Sequence, residues 1–347
     1  MDGPKLKRLD TDQSNIRIIV DAMGGDFAPQ NIVVGTMDAL KETRNRFHVI
    51  FVGPESRIRA QLREMALNDK EYEVIDAPEV IEMHDGATSA LKQKRNSSIS
   101  VGMQLHKEGK GEAFVSAGHS GAVMSASTLI LGRIDGISRP TIGAFFPSEQ
   151  GVCLLLDAGA NVDCRPQHLY EFGLMGSIYT RQMFNIERPS VGLLNIGEEP
   201  TKGNEAAKET HKLFQQSSLN FIGNVEGRDI LKGKAHVVVC DGFVGNIILK
   251  FGESIPGFFK GQLKRVTGRN LYRNLTSLLM RGTLRAAFKS MDYEEYGGVP
   301  VLGVNGVSLI GHGKSTPKAV KNMILAAEEM VQKKINHHIQ RALAQGT

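Results

Sequence analysis

The chain has 347 residues, 41% hydrophobic and 23% charged, with a formal charge of +5, an ordinary globular composition large enough for one big α/β domain or two smaller ones. Its three cysteines form no CxxC pair, which argues against a disulfide scaffold or zinc ribbon and fits a reducing cytoplasm. No apolar run approaches the ~18 residues of a membrane-spanning helix, and residues 1–15, mixing Lys5, Lys7 and Arg8 with Asp2, Asp10 and Asp12, read as a flexible tail rather than a signal peptide.

From residue 16 onward, short apolar runs alternate with amphipathic stretches. Ile16–Val20 reads as a strand that ends in Asp21-Ala-Met-Gly24-Gly25-Asp26, and a helix follows from Ala28 to Thr43. Paired glycines between strand and helix let backbone N–H groups face an anion, although a plain tight turn is the alternative and the spacing is not that of a dinucleotide fingerprint. Strand Phe47–Val52, helix Glu55–Leu67 and strand Tyr72–Asp76 come next. Lys94, Arg95, Ser97 and Ser98 then open a helix that runs to Lys107. Cations and hydroxyls at a helix start suit a phosphate, or equally a solvated cap with Asn96 or Ser97 as the capping residue. Strand Ala113–Ser116 leads through Ala117-Gly118-His119 into helix Ser120–Leu131, with Gly121 in its first turn. These small residues permit close backbone approach. With no GxSxG elbow, a ligand cradle is favoured over a hydrolase nucleophile.

Thr141–Phe146 and Val152–Leu156, separated by a polar turn, read as antiparallel neighbours. Helix Pro166–Phe184, strand Ser190–Leu194, helix Asn204–Gln215, strands Asn220–Gly223 and His236–Cys240, and helix Val244–Phe251 continue the alternation. Polar glycine loops follow three of these strands: Asp157-Ala-Gly-Ala-Asn161, the stretch from Asn195 to Lys202-Gly-Asn204, and Asp241-Gly-Phe-Val-Gly245-Asn246. The pattern predicts a mostly parallel sheet with helices on both faces, a single domain over 16–347, and ligands beyond the carboxyl ends of the strands.

Between Ser254 and Met291 the chain carries eight basic side chains and no acidic one, among them Lys260, Lys264, Arg265, Arg269, Arg273, Arg281 and Arg285. Residues 252–297 read as a basic amphipathic insertion, two helices around Gly268, with an anionic membrane or an acidic protein as partner. Nucleic acid is disfavoured because no aromatic stacking platform accompanies the charge. A closing strand run, Val301–Ile310, precedes Gly311-His312-Gly313-Lys314-Ser315-Thr316. This matches only the end of a P-loop, since the first glycine would fall at Ser308, and an ATP-binding reading is rejected. The last helix is expected from Pro317 to Leu343.

Taken together, Asp21-Ala-Met-Gly-Gly-Asp26, the Lys94-x-x-Ser97-Ser98 segment, Ser116-Ala-Gly-His-Ser-Gly-Ala, Leu156-Asp-Ala-Gly-Ala-Asn161, Asn195-Ile-Gly-Glu-Glu-x-x-Lys202-Gly-Asn204, Asp241-Gly-Phe-Val-Gly-Asn246 and Gly303-Val-Asn-Gly306 resemble the phosphate acyltransferases (PlsX family) of bacterial phospholipid synthesis. The resemblance covers residues 16 to 335. It implies transfer of a long-chain acyl group from acyl carrier protein to inorganic phosphate, a fold like phosphotransacetylases and isocitrate or isopropylmalate dehydrogenases, a homodimer, and peripheral attachment to the inner face of the cell membrane. Where many members have Asn-Thr, this chain has His119-Ser120. On this reading Lys94, Ser97, Ser98 and the Gly118–Gly121 turn hold phosphate. Lys202 and Asn246 stabilise the carbonyl oxygen, and His119 or His312 protonates the leaving thiolate. Asp21, Gly24, Gly25, Asp26, Asp157, Asn161, Asn204 and Asp241 orient the cleft, with Asp157 and Asp241 directed at the cations. No metal or cofactor is expected: Gly245 stands where metal-dependent dehydrogenases carry the second Asp of an Asp-x-x-x-Asp pair. The alternatives are a short-chain phosphotransacetylase acting on acyl-coenzyme A, for which the basic arm has no use, and a non-catalytic membrane-docked regulator, which would not need so many glycine loops.

Overall fold

The computed structural model describes residues 16–65, 72–267, 282 and 293–345. The amino-terminal tail and most of the basic insertion, including Arg269, Arg273, Arg281 and Arg285, lie outside the described residues. In chain order the elements are β1 (Arg17–Asp21), α1 (Gln30–Thr43), β2 (His48–Gly53), α2 (Glu55–Glu64), β3 (Tyr72–Asp76), α3 (Ala87–Gln93), α4 (Ser98–Lys107), β4 (Ala113–Ser116) and α5 (Ser120–Ala126), which runs on through a π turn to Leu131. There follow β5 (Thr141–Ser148), β6 (Gly151–Leu156), α6 (Pro166–Phe184), β7 (Ser190–Leu194), α7 (Glu205–Gln215), β8 (Asn220–Val225), α8 (Gly227–Lys232), β9 (Val237–Val239) and α9 (Gly242–Thr267). The chain closes with β10 (Val299–Leu302), β11 (Val307–Ile310), α10 (Pro317–Gln332) and α11 (Ile335–Ala344).

The strands form an 11-stranded sheet in the order β3-β2-β1-β4-β11-β10-β5-β6-β9-β7-β8. The first five of these run parallel, and so do the last four. Between them β10 and β5 are antiparallel to their neighbours, and β5 and β6 pair antiparallel as the short polar turn predicted. The α/β expectation therefore holds, with two parallel halves joined at an antiparallel seam. Strand alternation builds the core. Ile18 and Val20 of β1 pack with Val49, Phe51 and Val115 beneath α1 and α10, while Ile19 turns to the other face with Ile50, Val52 and Phe114 beneath α4 and α5. Burying side chains of this size stabilises by roughly 1.5–3 kcal/mol each.

Several predicted boundaries differ. The closing run is a hairpin of two strands, β10 and β11, turning at Gly303–Gly306. The final helix breaks at Lys334, which is left-handed at φ 50°. The helix expected to stop at Phe251 continues to Thr267 with Pro256 inside it, so the start of the 252–297 insertion extends a core helix. Pro256 removes one backbone donor, and the carbonyl it leaves belongs to Gly252, a residue small enough to pack against the Phe146 ring.

Beneath the seam lies a pH-sensitive group. His106 of α4 donates through Nδ1 to the Gly111 carbonyl at 2.7 Å, and its Nε2 faces Gly306 so closely that a Cβ there would collide with it. Burial holds this imidazole below the ordinary histidine pKa. The unfolded chain therefore takes up a proton near pH 6.5 that the folded chain refuses. The stability this contributes is full above pH 6.5 and is lost as pH falls toward the depressed folded value. Denaturation midpoints at pH 7.5 and 5.5 are expected to differ more for the wild type than for His106→Gln.

Candidate active site

Two strand-to-helix turns of the first half and the junction between α3 and α4 converge through Asp21. Its carboxylate is buried at the end of β1, accepting from the Ser116 hydroxyl at 2.6 Å and from the Met23 amide at 3.0 Å, and the Ser98 hydroxyl also bonds to it. Burial pushes its pKa up, against those hydrogen bonds. Behind it, Gly24 passes so close to the next turn that a Cβ would lie 2.7 Å from the Gly118 nitrogen. The Asp26 amide then donates to the Gly313 carbonyl at 2.7 Å, tying the loop after β1 to the loop after β11.

In the second half Asp157 does the equivalent work. It is fully buried, accepting from Thr141 Oγ1 (3.0 Å), the Ile142 amide (3.1 Å), the Asn161 amide (2.6 Å) and Asn161 Nδ2 (3.0 Å). Gly245 of α9 packs directly on the Asp157 carbonyl, leaving no room for a Cβ. Asn246 follows it with its side chain over Gly159, and its carboxamide meets no hydrogen-bond partner among the described residues.

These turns open onto a cavity of about 1420 Å³, beyond the ~300–1,000 Å³ of common small-molecule sites. At its polar end stand Asp26, Gly118, Ser120, Gly159, Asn246 and His312-Gly313-Lys314-Ser315. The starts of α5 and α10 contribute to it, so unpaired helix N–H groups bias this end toward anions. Among the described residues three lysines line the wall. Lys250 pairs with Glu253 at 3.1 Å and Lys318 with Glu295 at 2.8 Å, whereas the Lys314 ammonium has no partner among the described residues. Away from the polar end the lining is apolar: Ile142, Phe145, Phe146, Ile248, Leu249 and Ile255 among others. The arrangement suits an anion at one end and a long apolar group at the other.

Of the residues singled out in the sequence, Asp26, Gly118, Ser120, Asn246 and His312 meet in this cavity, with Gly24, Gly25, Asp21, Asp157 and Asn161 directly behind its walls. Others are occupied elsewhere. The Lys94 ammonium is held by Asp85 (2.6 Å) and the Val80 carbonyl (2.9 Å) and does not line the cavity. Ser97 caps α4 through the Ser100 amide, and Ser98 turns inward to Asp21. Asn204 caps α7 through the Ala207 amide, and Asp241 accepts from the Val244 amide at the start of α9. Asp157 and Asp241 therefore brace backbone turns, with no cation among their hydrogen-bond partners. His119 caps α5: its Nδ1 accepts from the Ala122 amide at 3.2 Å, so its proton sits on Nε2, which donates to the Asp85 carbonyl at 3.1 Å. With both nitrogens engaged it is not poised as an acid. Lys202 is exposed on the loop after β7, its carbonyl held by Asn195 Nδ2, and it does not line the cavity. Lys314 and Ser315 are not among the residues expected at the site from sequence; their signal is the glycine-lysine-serine run that fails the P-loop spacing.

Among the described residues no group of three or more His, Cys, Asp or Glu side chains is placed to hold a metal ion, and no helix is long and apolar enough to cross a membrane. A family model described as fatty acid synthesis protein matches residues 16–338. The chain is 46% identical over 338 residues to a phosphate acyltransferase of Chlorobaculum parvum, covering 95% of this chain and 99% of that one. It is likewise 46% identical over 331 residues to a phosphate acyltransferase of Chlorobaculum tepidum, covering 93% and 100%. In fold it is similar to a phosphotransacetylase from Streptococcus pyogenes, with a TM-score of 0.61 at 18% identity over 92% of this chain and 94% of that one. The EutD phosphotransacetylase of Staphylococcus aureus matches with a TM-score of 0.57 at 16% identity, over 91% and 94%.

Proposed function

This chain belongs to the phosphate acyltransferase family of fatty acid synthesis proteins, and we propose that its cavity brings phosphate and a long-chain acyl thioester of acyl carrier protein together. The enzyme transfers an acyl group to phosphate. The observation that carries the finer reading is the cavity itself, which has an anion-favouring end, a lysine with no partner among the described residues, and a wall lined by apolar side chains.

Phosphate is anionic at neutral pH and serves as the nucleophile, so no covalent enzyme intermediate is needed. The buried thiol of Cys153 and the half-buried thiol of Cys164 are both pushed up to about 12 by desolvation, and such thiols are poor nucleophiles. We assign phosphate to the Gly118–Ser120 turn with Lys314 beside it. A phosphate oxygen attacks the thioester carbonyl carbon, the carbonyl oxygen gains charge, and the C–S bond breaks to release thiolate. The Asn246 carboxamide faces the developing oxyanion. His312, whose Nδ1 accepts from the Lys314 amide at 3.1 Å, lines the cavity and protonates the thiolate. Since a thiol has a pKa near 8.5, this proton adds little. Positioning of the two reactants can supply roughly 7–11 kcal/mol of the barrier reduction.

Incubating the protein with long-chain acyl carrier protein and phosphate should give an acyl phosphate that hydroxylamine traps. If product forms only from short acyl-coenzyme A, the donor assignment is wrong.

The homodimer and the peripheral membrane contact belong to the same proposal. Phe251, Phe258 and Phe259 are exposed on α9, beside Lys260, Lys264 and Arg265. Near an anionic leaflet each cation contributes about 1 kcal/mol. Replacing Lys260, Lys264 and Arg265 with Gln should release the protein from anionic vesicles in a flotation assay and leave turnover of soluble substrates unchanged.

A further inference from the structure

We infer that Lys94 is a positioning residue for phosphate, acting on the Gly118–Ser120 turn through Asp85 and His119. The inference rests on the reading that this turn holds phosphate.

The linkage is continuous. Lys94 ends α3, and its ammonium bonds Asp85 Oδ2 at 2.6 Å and the Val80 carbonyl at 2.9 Å. The same Asp85 oxygen accepts from the Glu82 amide at 2.8 Å, closing the 82–85 turn on itself. Lys94 and the Glu82 amide together hold the Asp85 carboxyl below the usual range, with Lys94 contributing more. Fixed in this way, the Asp85 carbonyl receives His119 Nε2–H at 3.1 Å. That contact sets the ring orientation and leaves Nδ1 to accept the Ala122 amide at 3.2 Å. His119 is thereby the cap of α5, flanked by the two cavity-lining residues Gly118 and Ser120.

The fit is tight enough to transmit displacement. At Gly121 a Cβ would lie 3.1 Å from His119 Cε1 and 3.1 Å from Ala87 Cβ, so α3, the histidine ring and the first turn of α5 are in contact. Met83, in the turn that Lys94 closes, also lines the cavity. Loosening Lys94 would therefore free both the ring that caps the phosphate turn and the loop over its mouth. An ion pair with partner side chains 30% and 19% exposed adds little to global stability, so its effect should be local.

The test is steady-state kinetics on Lys94→Met, Lys94→Arg, Asp85→Asn and the Lys94→Met/Asp85→Asn pair. Lys94→Met is expected to raise the phosphate KM about tenfold while the acyl-donor KM and the melting temperature hold. Lys94→Arg should restore most of it. Asp85→Asn should give a similar rise, and the double variant should be no worse than either single one. If Asp85→Asn leaves the phosphate KM unchanged while Lys94→Met raises it, Lys94 binds phosphate directly and the relay is overturned. Equal rises in both KM values, or a loss of melting temperature alone, also overturn it. Ser120→Pro and Gly118→Val report on the premise separately. If these two leave the phosphate KM unchanged, the turn does not hold phosphate, whatever the Lys94 variants do.

Discussion

Replacing Asn246 with Ala is expected to lower kcat by about 10²–10³-fold with little change in the phosphate KM, the loss that follows removal of one oxyanion donor, roughly 2.7–4 kcal/mol. The side chain lines the cavity and its carboxamide meets no partner among the described residues, so truncation breaks no structural bond. Thermal unfolding of the variant should match the wild type. Asn246→Asp is the sharper comparison. It keeps the shape but replaces a donor with a negative charge, placing repulsion where the oxyanion forms, and it should be slower still. A single-turnover measurement with saturating acyl donor separates this effect from product release. If kcat for Asn246→Ala stayed within a factor of three, the oxyanion role would have to move to another donor, and exposed Lys202 would become the next residue to replace.

The largest expected loss of stability lies far from the chemistry. Arg46, in the turn before β2, makes two bonds to Glu328 of α10, Nε to Oε1 at 2.5 Å and an Nη to Oε2 at 2.8 Å, and Gln332 adds a third at 3.0 Å. Glu328 is 1% exposed. Removing the guanidinium strands a buried carboxylate, which costs about 3–5 kcal/mol. Arg46→Ala should therefore lower the denaturant midpoint steeply at pH 7.5. Replacing both partners together with Met and Leu should recover most of that loss, because neither charge is then left unpaired. If the single and double variants unfold at the same midpoint, the cost comes from lost packing rather than from the stranded charge.

The sheet and most helices were legible because short continuous apolar runs and amphipathic stretches alternate cleanly along the chain. Short elements were not: α3 and α8 are 7 and 6 residues, too few for a helical period to stand out. The break at Lys334 has no glycine or proline to announce it. At the site, the glycine turns could be read, because Gly24 and Gly245 occupy positions where backbone meets backbone and no side chain fits. The roles of the polar residues could not be read as well. Lys94 beside Ser97 looks like an anion site, and it is one, but the anion is the chain's own Asp85, nine residues upstream. Composition cannot tell an internal carboxylate from an external phosphate. The family resemblance pointed to the reaction. It did not show that Asp157 and Asp241 brace backbone turns or that Lys314 stands at the polar end with no partner among the described residues.

The seam in the sheet has a consequence for how the chain is made. The first parallel half is split in sequence: β1 to β4 come early, while β11, which inserts between β4 and β10, arrives with residues 307–310. Everything in the second half is synthesised between them. On the ribosome β6 to β9 can pair as soon as they emerge, but the open edge of β4 must wait about 190 residues for its neighbour. At ~5–20 residues per second that edge stays bare for roughly ten to forty seconds. Truncation before residue 307 should then leave a folded second half and a first half that binds chaperone or aggregates through β4. The carboxy-terminal strand is the keystone of the sheet, and the last piece set.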